Sequence, residues 1–131
     1  MPATLTLRKE ERLCSKKLLQ QLFQGGQSRS MAAFPVRMVY LETTRQPSQP
    51  PVTIMISVPK RCLKHAVDRN RVKRQVREAY RKHKHLLTDK FTDTPERQLA
   101  LAFIWLDRQT HHSTLVEKRM TTLLERMSEQ L

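Results

Sequence analysis

Apolar positions recur along the chain in two rhythms. In "AAFPVRMVYLE", residues 32 to 42, Phe34, Val36, Met38 and Tyr40 fall on one side and Pro35, Arg37 and Val39 on the other. "PVTIMISV", residues 51 to 58, sets Val52, Ile54, Ile56 and Val58 against Thr53, Met55 and Ser57. A period of two predicts half-buried strands. The segment between them, "TTRQPSQPP" (residues 43–51), has three prolines that remove backbone donors, so it predicts a loop that joins the two strands as a hairpin. "QLALAFIWL", residues 98 to 106, is apolar at nearly every position, as a central strand covered on both faces must be.

Three other segments follow the helical period. The first runs from Ser15 to Gln24, with Ser15 as its cap, Leu18, Leu19, Leu22 and Phe23 turned inward, and Gly25-Gly26 ending it. The second covers Asp68 to His85. The third follows Thr114, whose spacing to Glu117 predicts a capping box, and carries Leu115, Met120, Leu123, Leu124 and Met127 inward. The order helix, strand, strand, helix, strand, helix predicts an α+β sandwich. At 131 residues it is one domain spanning 1–131, with 43–51 as a Pro-rich loop.

Charge narrows the function. Twenty-five Lys and Arg against 12 Asp and Glu leave +13, which self-repulsion makes costly for a compact globule without a polyanionic partner. Nucleic acid stands ahead of an anionic membrane surface as that partner, and no apolar run approaches the roughly 18 residues of a membrane span. The N-terminal "MPATLTLRKEER" has charges where a signal peptide needs its apolar stretch, which predicts a cytoplasmic protein. Cys14 and Cys62 form no disulfide framework and read as free thiols.

The second helix separates these charges from the core. Stepping about 100° per residue, Val76, Ala79 and His83 fall within about 40° of Val72 and define a buried stripe. Asn70, Lys73, Arg74, Arg77 and Arg81 fall on the opposite side as an acid-free cationic ridge. A charged face is ordinarily solvated, but solvated faces interleave both signs at i,i+4. A one-signed, Arg-rich ridge suits phosphates, whose oxygens match the planar guanidinium fork.

"ISVPKRCLKHAVDRNRVKRQVREAYR", residues 56 to 81, resembles the bacterial ribonuclease P protein component. Ser57, Val58, Lys60, Arg61, Ala66, Val67, Arg69, Asn70, Arg71, Lys73, Arg74, Arg77, Glu78, Ala79 and Tyr80 fit its signature at fixed spacing. "ERLCSKKLLQQLFQGGQS" resembles its opening segment. The resemblance implies a two-layer fold like the second domain of ribosomal protein S5, with helices on a small, mostly antiparallel sheet and a left-handed crossover. It implies a subunit of the ribonucleoprotein that removes the 5′ leader of precursor tRNA. It further implies that the RNA subunit performs the cleavage and that magnesium is held mainly by that RNA. Its implied partners are that catalytic RNA and precursor tRNA, with no membrane and no obligate protein partner. Lys60, Arg61, Arg69, Asn70, Arg71, Lys73, Arg74, Arg77 and Arg81 are the implied contacts to the RNA subunit. Phe23, Arg37, Thr53, Met55 and Ser57 are the implied leader contacts, on the strand faces turned away from the core.

The chain departs from the family's pattern at four places. "CLKH", residues 62–65, is one residue longer than the usual turn and lacks its Gly. Leu19 stands in place of one of two Phe on the first helix, and Arg37 aligns with a leader-contacting aromatic. Leu106 and Asp107 precede Arg108 where a basic tag is usual. Leader contact therefore leans on charge and guanidinium stacking more than on rings.

The polypeptide offers no catalytic set of its own. His111 and His112 are adjacent and point apart, with no Cys or carboxylate at ligand spacing, so they read as loop residues. His83 and His85 read as structural, Trp105 as core, and Asp89, Asp93 and Glu96 as a solvated connection. Two other readings stay open: a structural RNA-binding protein of ribosomal type, and a DNA-binding regulator. The second has only Asn70 and Gln75 as uncharged polar readers on its helix.

Overall fold

A computed structural model describes Glu11, residues 16–24, Gly26, residues 28–45 and residues 49–131. The elements are α1 (Lys16–Gln24), β1 (Arg29–Ala33), β2 (Val36–Thr44), β3 (Val52–Ser57), α2 (Ala66–His83), α3 (His85–Thr88), β4 (Arg97–Trp105) and α4 (Ser113–Gln130). A 3₁₀ turn, Asp89–Phe91, follows α3.

The strands form one sheet in the order β1-β2-β4-β3. β1 pairs with β2 and β2 with β4 antiparallel, while β3 runs parallel to β4. The central place of β4 follows from its sequence. Leu99, Leu101, Phe103 and Trp105 pack with α2 and α4, and Ala100 and Ala102 are buried on the reverse face. The small side chains of Ala100 and Ala102 let Leu22 of α1 seat there with Val39. The sheet and α2–α4 are the two expected layers, and α1 adds a partial third.

The expected hairpin between β2 and β3 does not form. Both strands take β4 as their neighbour instead, because a strand apolar on both faces needs a partner at each edge as well as cover above and below. The 43–51 connection, described at its two ends, is tied to β4 and the segment leading into it. Arg45 N–H donates to Glu96 O at 2.8 Å and Leu99 N–H to Pro51 O at 2.8 Å. The hairpin lies earlier, between β1 and β2. "AAFPVRMVYLE" is broken at Phe34–Pro35, a two-residue turn with a cis peptide, since proline cannot donate to a ladder. Phe34, expected on the core face with Val36 and Met38, is 60% exposed there.

Other expectations shift in detail. Phe23 is 48% exposed rather than inward, while Leu22 is fully buried and Leu19 half-buried. Gly26 ends the first helix at φ +72, in the left-handed region that a side chain disfavours. Cys14, Ser15 and Gly25, and the side chain of Leu18, lie outside what is described. On α2, Val72, Val76 and Ala79 are buried as expected, joined by Gln75 and Tyr80. His83 is half-buried and meets Glu117 at 3.0 Å. Glu117 is thereby drawn away from Thr114, and the capping box is replaced by His112, whose Nδ1 accepts from Thr114 N–H at 3.2 Å. Trp105 is core, with its indole N–H donating to Gln109 O at 3.2 Å. Cys62 packs half-buried against the core. Among the described residues no helix is long and apolar enough to cross a membrane.

Candidate nucleic-acid interface

The cationic face begins in the turn before α2. Cys62 N–H and Leu63 N–H both donate to Pro59 O, at 3.0 and 3.2 Å, and Leu63 plugs the core at 5% exposure. No described residue other than Gly has a positive φ, so the longer, glycine-free "CLKH" closes in ordinary backbone. Lys60 and Arg61 are left exposed on this turn. Arg69 reaches back to it, Nη1 donating to Leu63 O at 3.0 Å and Lys64 O at 2.7 Å. Arg69 therefore braces the turn that presents Lys60 and Arg61.

Along α2, Asn70, Arg71 and Arg74 are exposed, while Lys73, Arg77 and Arg81 are partly covered. The ridge is not acid-free as expected. Glu78 is also exposed and forms a short bidentate pair with Arg81 one turn on. The Arg81 hydrogen bonds hold the Glu78 carboxyl below the usual range, and Glu78 raises the guanidinium in return. This solvent-screened pair adds little stability, but it neutralises the C-terminal end of the ridge. The uncompensated charge lies in the first half of α2. Val67, 79% exposed, stands ahead of Arg71 and Arg74 at helical spacing.

The leader candidates meet on the face that carries α1. Arg37 on β2 lies opposite Ile104 on β4, and Ile104 opposite Ser57 on β3, so the three share one row about 10 Å wide. Val39, Ala102 and Met55 form the next row, and Leu41, Ala100 and Thr53 the one after. Arg37 is exposed and donates to Ser30 Oγ at 3.3 Å; Met55 and Ser57 are half-exposed. Phe23 is exposed one residue beyond Leu22, which anchors α1 to the middle rows. Thr53 departs from expectation. It is 6% exposed and its hydroxyl is buried with no partner among the described residues, so it is not part of the accessible surface.

The histidines act as braces. His111 Nε2 and Asp107 Oδ2 are 2.5 Å apart, and Gln109 N–H donates to Asp107 Oδ1 at 3.2 Å. Gln75 crosses from α2 to donate to His111 O at 2.9 Å and Ser113 Oγ at 3.0 Å. Buried in that clasp, Gln75 cannot read a base edge, which leaves Asn70 alone among the uncharged polar readers considered for α2. No group of three His, Cys, Asp or Glu that could hold a metal occurs among the described residues.

These braces predict an acid limit to stability. The bond from His111 holds Asp107 below its ordinary range, helped by the N–H groups of Arg108 and Gln109, and the bond from His83 does the same for Glu117. A carboxylate lowered in the folded state contributes stability that is present above its unfolded value, near 4, and is lost as pH falls through the folded value. The melting midpoint should therefore be flat above about pH 5 and fall steeply below about pH 4. Asp107→Asn with Glu117→Gln should lower the neutral plateau and flatten the acid limb. An unchanged limb would place the acid sensitivity elsewhere.

A small α+β protein with one strongly cationic helix beside a partly open sheet face is the class these features define. The chain belongs to the ribonuclease P protein family. The family profile described as Ribonuclease P matches residues 7–128. The ribonuclease P protein component of Porphyromonas gingivalis is 36% identical over 130 residues, 97% of this chain and 90% of that one. The structure of the ribonuclease P protein of Thermotoga maritima superimposes with a TM-score of 0.65 at 19% identity, covering 88% of this chain and 96% of that one. The protein of Staphylococcus aureus superimposes with a TM-score of 0.63 at 16% identity, covering 89% and 94%. The structural likenesses establish the fold, and the profile and the relative establish the family.

Proposed function

We propose that this chain is the protein subunit of a ribonuclease P ribonucleoprotein, which grips the RNA subunit with α2 and holds the 5′ leader of precursor tRNA on the α1 face of the sheet. The supporting observation is the placement of two separate cationic features. Arg71 and Arg74 are exposed on α2, with no salt bridge among the described residues. Arg37 is exposed in a row of the sheet whose other members, Ile104 and Ser57, are partly open. The ridge suits a folded RNA with densely spaced phosphates. The sheet row suits an extended single strand, whose phosphates need a cation and whose unstacked bases need flat groups. In this reading cleavage belongs to the RNA subunit, which also holds the magnesium. Among the described residues no group of three His, Cys, Asp or Glu could hold that ion. The polypeptide contributes binding and orientation in the cytoplasm.

Reconstitution with the RNA subunit at low magnesium tests this. Wild-type protein should accelerate leader removal and favour precursor over mature tRNA. Arg37→Ala should weaken precursor binding roughly tenfold, the scale of one stacked or paired base contact, and leave mature tRNA unchanged. Equal losses for both RNAs would support a structural RNA-binding protein without leader recognition.

A further inference from the structure

We propose that the Phe34 turn and Leu106 form an apolar shelf at the corner of the sheet, on which an unstacked base of single-stranded RNA rests beyond Arg37. Phe34 is 60% exposed and Leu106 37% exposed, two of the few large apolar residues left wet. Their backbones adjoin, since Phe34 precedes the residue that pairs with Leu106. Leu106 N–H donates to Pro35 O at 2.8 Å, which carries the β2–β4 pairing one step past the Val36–Trp105 pair. Immediately inward, Arg37 stands opposite Ile104.

A single exposed apolar side chain is ordinary. Here two exposed apolar residues stand on adjoining backbone at one corner of the sheet, one strand step beyond the Val36–Trp105 pair and close to the row that carries the exposed Arg37, on a chain of net charge +13. A cation beside an apolar ring matches the repeating chemistry of a nucleotide strand, phosphate and then base. The aromatic ring absent at position 37 is thus available three residues earlier in the chain. The shelf rests on the leader reading given above and extends it by one binding position.

Phe34→Ala, Phe34→Leu and Phe34→Tyr proteins, each assembled with the RNA subunit, would be titrated with precursor tRNA whose leader is shortened one nucleotide at a time, and with mature tRNA. Ala and Leu should weaken binding of long-leader precursor roughly five- to twentyfold, while Tyr retains it. The loss should vanish once the leader is too short to reach the corner. Mature tRNA affinity and the melting midpoint should be unchanged, since the ring lies outside the core. If Arg37→Ala loses precursor preference and Phe34→Ala does not, the shelf is overturned and the leader reading stands. If neither variant alters preference, both fail. A Phe34→Ala loss equal for mature tRNA, or a change in sedimentation of the free protein, would assign the corner to the RNA subunit or to self-association and overturn the proposal.

Discussion

Arg71→Ala combined with Arg74→Ala is expected to weaken the hold on the RNA subunit by roughly a hundredfold or more at moderate salt, with little change in melting midpoint. Each charge-assisted contact is worth roughly 1.5–3 kcal/mol, and both side chains project from exposed helix positions where Ala is the better helix former. The salt dependence should change in step. Log affinity falls against log salt by about 0.7–0.9 per phosphate contact, so removing two contacts should flatten the plot by roughly 1.5. Affinity unaltered by the double change, or a wild-type slope shallower than about −2, would mean that the ridge is only a solvated face. Arg69→Ala serves as the contrast. Its guanidinium braces the carbonyls of Leu63 and Lys64, so its loss should lower the melting midpoint as well as the affinity.

The second large effect concerns a buried ion pair. Lys84 Nζ lies 2.9 Å from Glu11 Oε1, and each side chain is only 10% exposed. The pair pins Glu11 to the residue that ends α2, close to Tyr80, whose hydroxyl is pushed well above its ordinary range by burial and then by the Glu11 charge. Removing one member of a buried pair takes a charge-assisted hydrogen bond from the other in a place where water cannot replace it, at a cost of up to roughly 3–5 kcal/mol. Glu11→Leu and Lys84→Met should each destabilise on that scale in urea unfolding. The double variant should lose less than the sum of the two single variants, because the two side chains are coupled through their direct contact. Single variants within about 0.5 kcal/mol of wild type would show that water screens the pair in solution.

What could be read from the chain depended on whether its cause was local. Val72, Val76 and Ala79 repeat at helical spacing, and Val52 and Ile54 at strand spacing, so their burial follows from period alone. The solid apolar run of β4 likewise marked its central place, and Trp105 its core position. β1 escaped notice because "RSMAA" is an edge strand, mostly exposed or half-covered, and carries no alternation to detect. The hairpin was misplaced because strand order depends on which edges β4 needs filled, a question settled some fifty residues downstream of the loop. In the site, the ridge was legible from angle and sign, but the angular sort left out Glu78, whose side chain reaches Arg81 three residues on and neutralises that end. The backward reach of Arg69 and the burial of the Thr53 hydroxyl depend on tertiary neighbours, and no spacing announces them. Phe34 was read as core because an alternating pattern continues through a proline that in fact turns the chain.

The place of β4 also sets the order in which the chain can fold during synthesis. In this sheet β2 and β3 are joined through β4, the last of the four strands to leave the ribosome. Before it emerges, the chain can hold the β1–β2 hairpin and the amphipathic α2. A lone two-stranded hairpin is marginal in water, and α2 lacks the surface that buries Val72 and Val76. β4 must then enter between β2 and β3, closing a loop that contains all of α2, which is the kind of non-local step that slows folding. A nascent chain therefore displays its arginine-rich helix to the polyanions around it before it has a platform that fixes the helix in place.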